Sequence, residues 1–123
     1  MIYILLLSFQ QNHIRHEYVR DDPVLAEVVR RLILAYEPRR IYLFGSRARG
    51  DSNLDSDYDL MVIVPDDTTP VRRRSKLAYE KLWGTGAPVD VLVWTVGNFE
   101  ERLVLKASLP STVQKEGIIL YAA

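Results

Sequence analysis

Two aspartates separated by one residue, Asp57 and Asp59, stand at the start of the apolar run 58–64 (YDLMVIV). Side chains two apart on a strand point to the same face, with their Cα atoms about 6.6 Å apart. The two carboxylates therefore repel each other unless a cation lies between them. Because hard oxygen ligands of this kind select Mg²⁺ or Mn²⁺, the spacing predicts a divalent-cation site where the strand begins.

A third carboxylate, Asp90, interrupts a later apolar run at 89–95 (VDVLVWT). A charged residue between Val89 and Val91 has no evident packing role. Three carboxylates from two adjacent strands can hold two cations about 3.5–4 Å apart, an arrangement that serves in-line phosphoryl or nucleotidyl displacement. We therefore predict that Asp57, Asp59 and Asp90 are metal ligands and catalytic residues.

A glycine–serine corner, Gly45-Ser46, directly follows the short apolar run 41–44. A turn from strand into helix at this corner would present backbone N–H groups to an anionic phosphate, and Ser46 would add a hydroxyl. Arg47 or Arg49 could reach the same phosphates, and Arg47 is the preferred of the two. The predicted nucleotide-binding residues are thus Gly45, Ser46 and Arg47.

The remaining pattern supplies the elements that must position these residues. Asp21-Asp22-Pro23 is typical of a helix start, and apolar residues then recur at helical spacing as far as Tyr36. The other predicted elements are strands at 41–44, 58–64, 89–95 and 118–121 and helices at 71–83 and 98–106. This order indicates an α/β (α+β) domain with a small β-sheet covered by helices.

Composition limits the classes of protein that fit. The chain has 123 residues, 48% of them hydrophobic, no cysteine, and 16 basic against 16 acidic residues. We expect one domain at residues 21–123, preceded by an extension at residues 1–20. The lack of cysteine excludes a thiol nucleophile and a Cys-ligated metal, and a net charge of zero argues against general nucleic-acid binding.

Residues 1–9 (MIYILLLSF) are apolar, but a membrane-spanning helix needs about 20 residues. They also lack the basic start and the cleavage site of a secretory signal. We therefore expect a cytoplasmic protein in which residues 1–9 form a short strand or helix packed on the domain or on a partner. A misassigned start and a peripheral anchor are the alternatives.

Other patterns near the site have simpler interpretations. The segment 45–52 spaces its glycines like a phosphate-binding P-loop, but Asp51 stands where that loop needs a lysine. Asp51, Asn53 and Asp55 fit turn and capping roles. The basic stretch 72–74, together with Lys76, is interpreted as a solvated helix face, with contact to RNA or to an acidic partner as the alternative.

The combination of Gly45-Ser46, ten intervening residues, Asp57-x-Asp59 and a later strand aspartate, Asp90, resembles the minimal nucleotidyltransferases of the DNA polymerase beta superfamily. The resemblance covers residues 24–96. It implies the nucleotidyltransferase fold, with a small mixed sheet flanked by helices. It also implies transfer of a nucleoside monophosphate from a nucleoside triphosphate, ATP in the first place, with two Mg²⁺ ions, or Mn²⁺, at Asp57, Asp59 and Asp90.

The resemblance further implies a partner. Only 33 residues follow Asp90, so we expect the acceptor to be held by another molecule. In the family this partner is a small all-helical HEPN toxin with ribonuclease activity, silenced when AMP is transferred to a tyrosine. A hetero-oligomer without membrane or stable nucleic-acid binding is therefore expected. Two alternatives stay open: a nucleotidyltransferase that modifies a small-molecule hydroxyl, and an antitoxin that neutralises by binding alone.

Overall fold

The computed structural model describes residues 13–123, which form a four-stranded sheet flanked by helices. Its strands are β1 (Arg40–Phe44), β2 (Tyr58–Val64), β3 (Val89–Thr95) and β4 (Ile118–Ala122), in the order β3-β2-β1-β4. β2 and β3 are parallel, whereas β1 is antiparallel to both β2 and β4. The sheet is therefore small and mixed, as the family resemblance implies. The strand or helix predicted at residues 1–9 lies outside the described residues.

Five α-helices accompany the sheet in the part of the chain that the structure describes. They are α1 (Pro23–Tyr36), α2 (Gly45–Arg49), α3 (Ser75–Lys81), α4 (Val96–Leu103) and α5 (Leu109–Glu116). The Asp22 carboxylate caps α1 by accepting a hydrogen bond from the Leu25 N–H at 3.0 Å. The predicted start and end of this helix are confirmed.

Alternation along β2 divides the core between the two faces of the sheet. Tyr58, Leu60, Val62 and Val64 pack with α1 and α3 in the larger cluster. Met61 and Ile63 pack on the other face against Phe99 of α4 and Val113 of α5. Asp59 has the parity of this second face, because side chains alternate along a strand. The sheet therefore carries Asp59 at the end of an otherwise apolar row.

The helix predicted at 71–83 is wrong as a single element. It is split into a 3₁₀-helix, Pro70–Arg73, and α3, with Arg74 extended between them (φ −99°, ψ 141°). The break is fixed by Tyr36, whose hydroxyl donates to the Arg74 carbonyl at 2.5 Å and accepts from the Ala78 N–H at 2.9 Å. These bonds come from a residue distant in sequence, so local periodicity does not show them.

The basic stretch 72–74 also serves the fold. Arg72 donates to the Ala35 carbonyl at 2.9 Å, and Arg73 donates to the carbonyls of Thr68 and Asp66. Two of the three arginines thus fasten the 3₁₀-helix to neighbouring backbone. The interpretation as a merely solvated face does not hold for these two side chains.

The C-terminal part differs from the prediction in its helices. The helix predicted at 98–106 is α4, which begins at Val96, where the Thr95 hydroxyl accepts from the Asn98 N–H. α5 was not predicted; Ser108 caps it by accepting from the Ser111 N–H at 3.2 Å. The predicted terminal strand is confirmed as β4.

Residues 13–20, the described part of the predicted extension, pack on the domain. The Arg15 N–H donates to the Leu120 carbonyl at 2.7 Å, and Ile14 forms a bridge with Tyr121. Val19 is buried in the larger core cluster. The boundary at residue 20 stays a prediction. Within residues 13–123, no helix has the length and apolar character needed to cross a membrane.

Candidate active site

The parallel pairing of β2 and β3 places two of the predicted carboxylates side by side. Asp59 is the register partner of Asp90, so their backbones are separated by one strand spacing of about 4.8 Å. Asp57 directly precedes β2, and the buried Tyr58 separates it from Asp59. Asp57 and Asp90 are exposed and Asp59 is half-buried. The structure thus gathers all three carboxylates at one end of the sheet.

Asp59 lies in the electrostatic field of the other two carboxylates. Partial burial raises the pKa of the Asp59 carboxyl, and the negative charges of Asp90 and then Asp57 raise it further. The Arg49 guanidinium lowers this pKa, but it is the smallest of the four influences. Ionisation of Asp59 therefore costs more free energy in the folded protein than in the unfolded chain.

This penalty predicts a pH-dependent stability. The pKa of Asp59 is higher in the folded protein than in the unfolded chain, so the folded state binds more protons between the two pKa values. Stability is then lost as the pH rises above about 3.9, the ordinary aspartate value, and the loss persists at pH 7. Asp59→Asn keeps the side-chain shape and removes the charge, so this variant should be at least as stable as wild type at pH 7.

Urea unfolding between pH 4 and pH 7, with a chelator present, measures the effect. The advantage of Asp59→Asn over wild type should shrink as the pH falls. The exposed Asp55→Asn controls for the loss of one loop carboxylate. An advantage that grows toward pH 4 would contradict the sign of the shift.

The donor set fits a divalent cation that has further ligands. Three carboxylates, which are hard oxygen donors, lie at this end of the sheet, and Asp59 and Asp90 are register partners. Among residues 13–123, however, no three acidic or histidine side chains stand close enough to enclose an ion by themselves. Mg²⁺ is commonly bound by one or two carboxylates together with substrate phosphates. The carboxylates therefore suit a cation that arrives with a phosphorylated ligand.

The glycine corner lies directly against these carboxylates. Phe44, the last residue of β1, is the register partner of Asp59, and Gly45 begins α2 with a φ of +73°. A β-carbon at Gly45 would overlap the Asp59 carboxylate oxygen Oδ2. Glycine is therefore needed for the backbone conformation and for the space that Asp59 occupies. The predicted strand-to-helix corner is present and adjoins the carboxylates.

Arg47 is held by the loop that leads to Asp57. Its Nε donates to the Ser56 carbonyl at 2.9 Å, and its guanidinium carbon lies 3.9 Å from the centre of the Tyr58 ring. The Tyr58 hydroxyl in turn donates to the Asp22 carboxylate at 2.7 Å. This chain of contacts ties α2, the loop and the start of α1 together. The sequence predicts Arg47 only as a phosphate-binding residue. It does not reveal the bracing contact that Arg47 makes with Ser56 and Tyr58.

The bracing contact predicts a loss of stability on truncation. Arg47→Ala removes a stacked cation and a hydrogen bond to a carbonyl, which together contribute about 1–2 kcal/mol to the free energy of unfolding. Arg47→Lys keeps the charge but loses the planar stack, so an intermediate loss is expected. Urea unfolding measures both. Equal stability of Arg47→Ala and wild type would show that the contact is not stabilising.

The loop between α2 and β2 is built from local hydrogen bonds. The Asn53 side-chain oxygen accepts from the Asp55 N–H at 2.8 Å, and the Ser56 hydroxyl accepts from the Asn53 N–H at 3.0 Å. Arg49 and Asp51 form an exposed ion pair at 3.2 Å. The predicted turn role is confirmed for Asn53, and Asp51 is paired with Arg49 outside the carboxylate group.

A comparison with protein families now identifies the domain. The model of the family described as "Nucleotidyltransferase domain" matches residues 24–120, which is most of the chain. The chain belongs to this family. A search among curated proteins finds no match.

Solved structures share the fold of this nucleotidyltransferase domain. A protein from Sulfolobus solfataricus assigned to the nucleotidyltransferases is 21% identical, with a TM-score of 0.57 over 85% of this chain and 83% of that one. A toxin–antitoxin structure with AMP-PNP is 25% identical, with a TM-score of 0.53 over 79% of this chain and 73% of that one. A mutant of the toxin–antitoxin pair MntA–HpeT is 22% identical, with a TM-score of 0.50 over 77% and 71%. The fold and family expected from the resemblance are confirmed.

Sequence reasoning missed one residue that contacts one of the three carboxylates. Tyr79 of α3 donates from its hydroxyl to Oδ1 of Asp90 at 3.3 Å. It lies eleven residues before Asp90, on a helix whose packing against β3 creates the contact. The only sequence signal is that Tyr79 directly precedes two charged residues, Glu80 and Lys81. This pattern by itself does not indicate a hydrogen-bond partner for the tyrosine.

Proposed function

We propose that this nucleotidyltransferase transfers a nucleoside monophosphate, AMP from ATP in the first place, to a hydroxyl group of a partner protein. The observation that carries the proposal is the pairing of Asp59 with Asp90 in register, beside Asp57 and directly against the Gly45 corner. Three carboxylates that repel one another favour the binding of a cation between them. The adjoining Gly45 corner can bind phosphate through its backbone N–H groups. Family membership supports the same chemistry.

In this proposal the site residues divide into metal ligands and triphosphate-binding residues. Asp57, Asp59 and Asp90 would hold Mg²⁺, with Asp90 on the acceptor side. The bound metal would lower the pKa of the acceptor hydroxyl and neutralise charge on the phosphates. The backbone of Gly45 and the Ser46 hydroxyl would orient the triphosphate, together with the terminal nitrogens of Arg47, whose Nε is bonded to the Ser56 carbonyl.

The transfer replaces one phosphorus–oxygen bond by another. The acceptor oxygen forms a bond to the α-phosphorus and gives up its proton to water. The bond from the α-phosphorus to the bridging oxygen breaks, and pyrophosphate leaves. The exposed positions of Asp57 and Asp90 leave this end of the sheet open to a second molecule.

The partner we propose is a toxin, which makes this chain an antitoxin. Support comes from two of the similar structures, which are toxin–antitoxin assemblies, one of them with AMP-PNP. From the sequence resemblance we further propose that the toxin is a helical HEPN ribonuclease, that its acceptor is a tyrosine, and that the pair acts in the cytoplasm.

Neutralisation in cells separates catalytic from binding-only action. The product of the neighbouring gene, as the candidate toxin, is expressed with wild type, with Asp57→Asn/Asp59→Asn, or with the loop control Asp55→Asn, and colony counts are compared. Catalytic neutralisation predicts growth with wild type and Asp55→Asn and none with the double variant. Full rescue by the double variant, at equal protein level, would show that binding alone neutralises the partner.

A further inference from the structure

The Tyr79 hydroxyl makes two hydrogen bonds at the edge of the sheet. It donates to Oδ1 of Asp90 at 3.3 Å and accepts from the Val91 N–H at 3.2 Å. These two partners are consecutive residues of β3. A hydroxyl held between a backbone N–H and a carboxylate has a fixed position, since its donor and one acceptor site are both used.

The topology explains why a tyrosine can reach this place. Among the described residues 13–123, β3 is an edge strand of the sheet, with β2 as its one neighbour. Edge strands present backbone N–H groups that no other strand pairs. α3 packs on the face that holds the larger core cluster, through Leu77, Ala78 and Leu82. By strand alternation Asp90 belongs to the opposite face, so Tyr79 reaches round the edge of the sheet to it.

Asp90 needs such a partner because of its neighbour. It is the register partner of Asp59 on the neighbouring parallel strand, and two carboxylates one strand spacing apart repel each other. An exposed carboxylate that is repelled and otherwise unrestrained would rotate away from Asp59 into solvent. A hydrogen bond from a fixed hydroxyl opposes that rotation and leaves Oδ2 of Asp90 for another ligand.

We propose that Tyr79 is a positioning residue that holds the Asp90 carboxylate in the orientation that binds the acceptor-side cation. This inference rests on the proposed function, because it takes Asp90 as a metal ligand. Tyr79 itself touches neither metal nor substrate in this proposal. The effect of Tyr79 on metal binding depends entirely on Asp90, so an Asp90 variant can distinguish this role from a packing role.

The test is Mn²⁺ binding without any partner protein. Free Mn²⁺ is followed by electron paramagnetic resonance in the presence of the α,β-methylene analogue of ATP, whose α–β bond is not cleaved. Tyr79→Phe keeps the ring and removes only the hydroxyl. Loss of an outer hydrogen bond to a metal ligand predicts a Kd for Mn²⁺ about 10-fold higher than that of wild type.

A double-mutant cycle distinguishes positioning from packing. If Tyr79 acts through Asp90, the Tyr79→Phe/Asp90→Asn variant binds Mn²⁺ as Asp90→Asn does, within about twofold. If Tyr79 has a purely structural role, the losses of Mn²⁺ affinity in the two single variants should multiply in the double variant, which would overturn the proposal. A Tyr79→Phe variant with the wild-type Kd for Mn²⁺ would also overturn it. If wild type binds no Mn²⁺, the metal site and this inference both fail. If Mn²⁺ binding follows the cycle but no transfer occurs, only the proposed activity fails.

Discussion

Asp59→Asn should lower the rate of nucleotidyl transfer by about 1,000-fold while the protein stays folded. Asp59 lies between the other two carboxylates, with Asp57 two residues before it and Asp90 opposite it across the parallel strands. Removing one preorganised group that stabilises charge in a transition state typically costs about 100- to 1,000-fold, and Asp59 would act through the cation that it holds. We expect the upper end, because the amide also weakens the binding of the metal.

The matched control for this change is Asp55→Asn. It removes one carboxylate four residues away, in an exposed loop, by the same chemical substitution. Initial rates with the partner and labelled ATP should lie within about twofold of wild type for this variant. Retention of more than one tenth of the wild-type rate by Asp59→Asn would contradict a catalytic role for Asp59.

Gly45→Ala should cost about 100-fold in transfer rate. The new β-carbon would occupy the position of Asp59 Oδ2, so the carboxylate must move. A carboxylate end can rotate away, which limits the cost in stability, but displacement of a catalytic group by about 1 Å can cost about 100-fold in rate. The variant should therefore fold and be nearly inactive.

Gly50→Ala controls for backbone strain. Gly45 and Gly50 both have a positive φ, +73° and +81°, but no atom of the described residues lies within 4 Å of a β-carbon at Gly50. Each alanine should lower the free energy of unfolding by about 1–2 kcal/mol, because the left-handed conformation is unfavourable for it. Only Gly45→Ala should then lose activity. Equal rates for the two variants would show that the close approach to Asp59 is unimportant.

Local patterns were sufficient to predict the elements that carry the site. The limits of β2 and β3 follow from two apolar runs, and α1 follows from its cap at Asp22 and its helical periodicity. The carboxylates stood out because Asp57, Asp59 and Asp90 interrupt or adjoin those runs. Their alignment in the structure follows from the parallel pairing of the two strands.

Contacts between residues distant in the chain could not be predicted from local sequence patterns. The break at Arg74 depends on the Tyr36 hydroxyl, and the hold on Asp90 depends on Tyr79 from a helix on the other face of the sheet. α5 has only Pro110 and Val113 buried, which is too few apolar positions to show periodicity. Arg47 gives no sequence sign of its stack on Tyr58. Each of these features depends on tertiary packing.

Label transfer from ATP labelled at the α-phosphorus tests the central claim most directly. The chain is purified together with the protein encoded beside it and incubated with Mg²⁺, and the partner is separated under denaturing conditions and counted. The account predicts label on the partner with wild type and Asp55→Asn, and none with Asp57→Asn/Asp59→Asn or with excess chelator. A stable complex that gives no label with ATP, GTP, CTP or UTP, or equal label with the double variant, would contradict it.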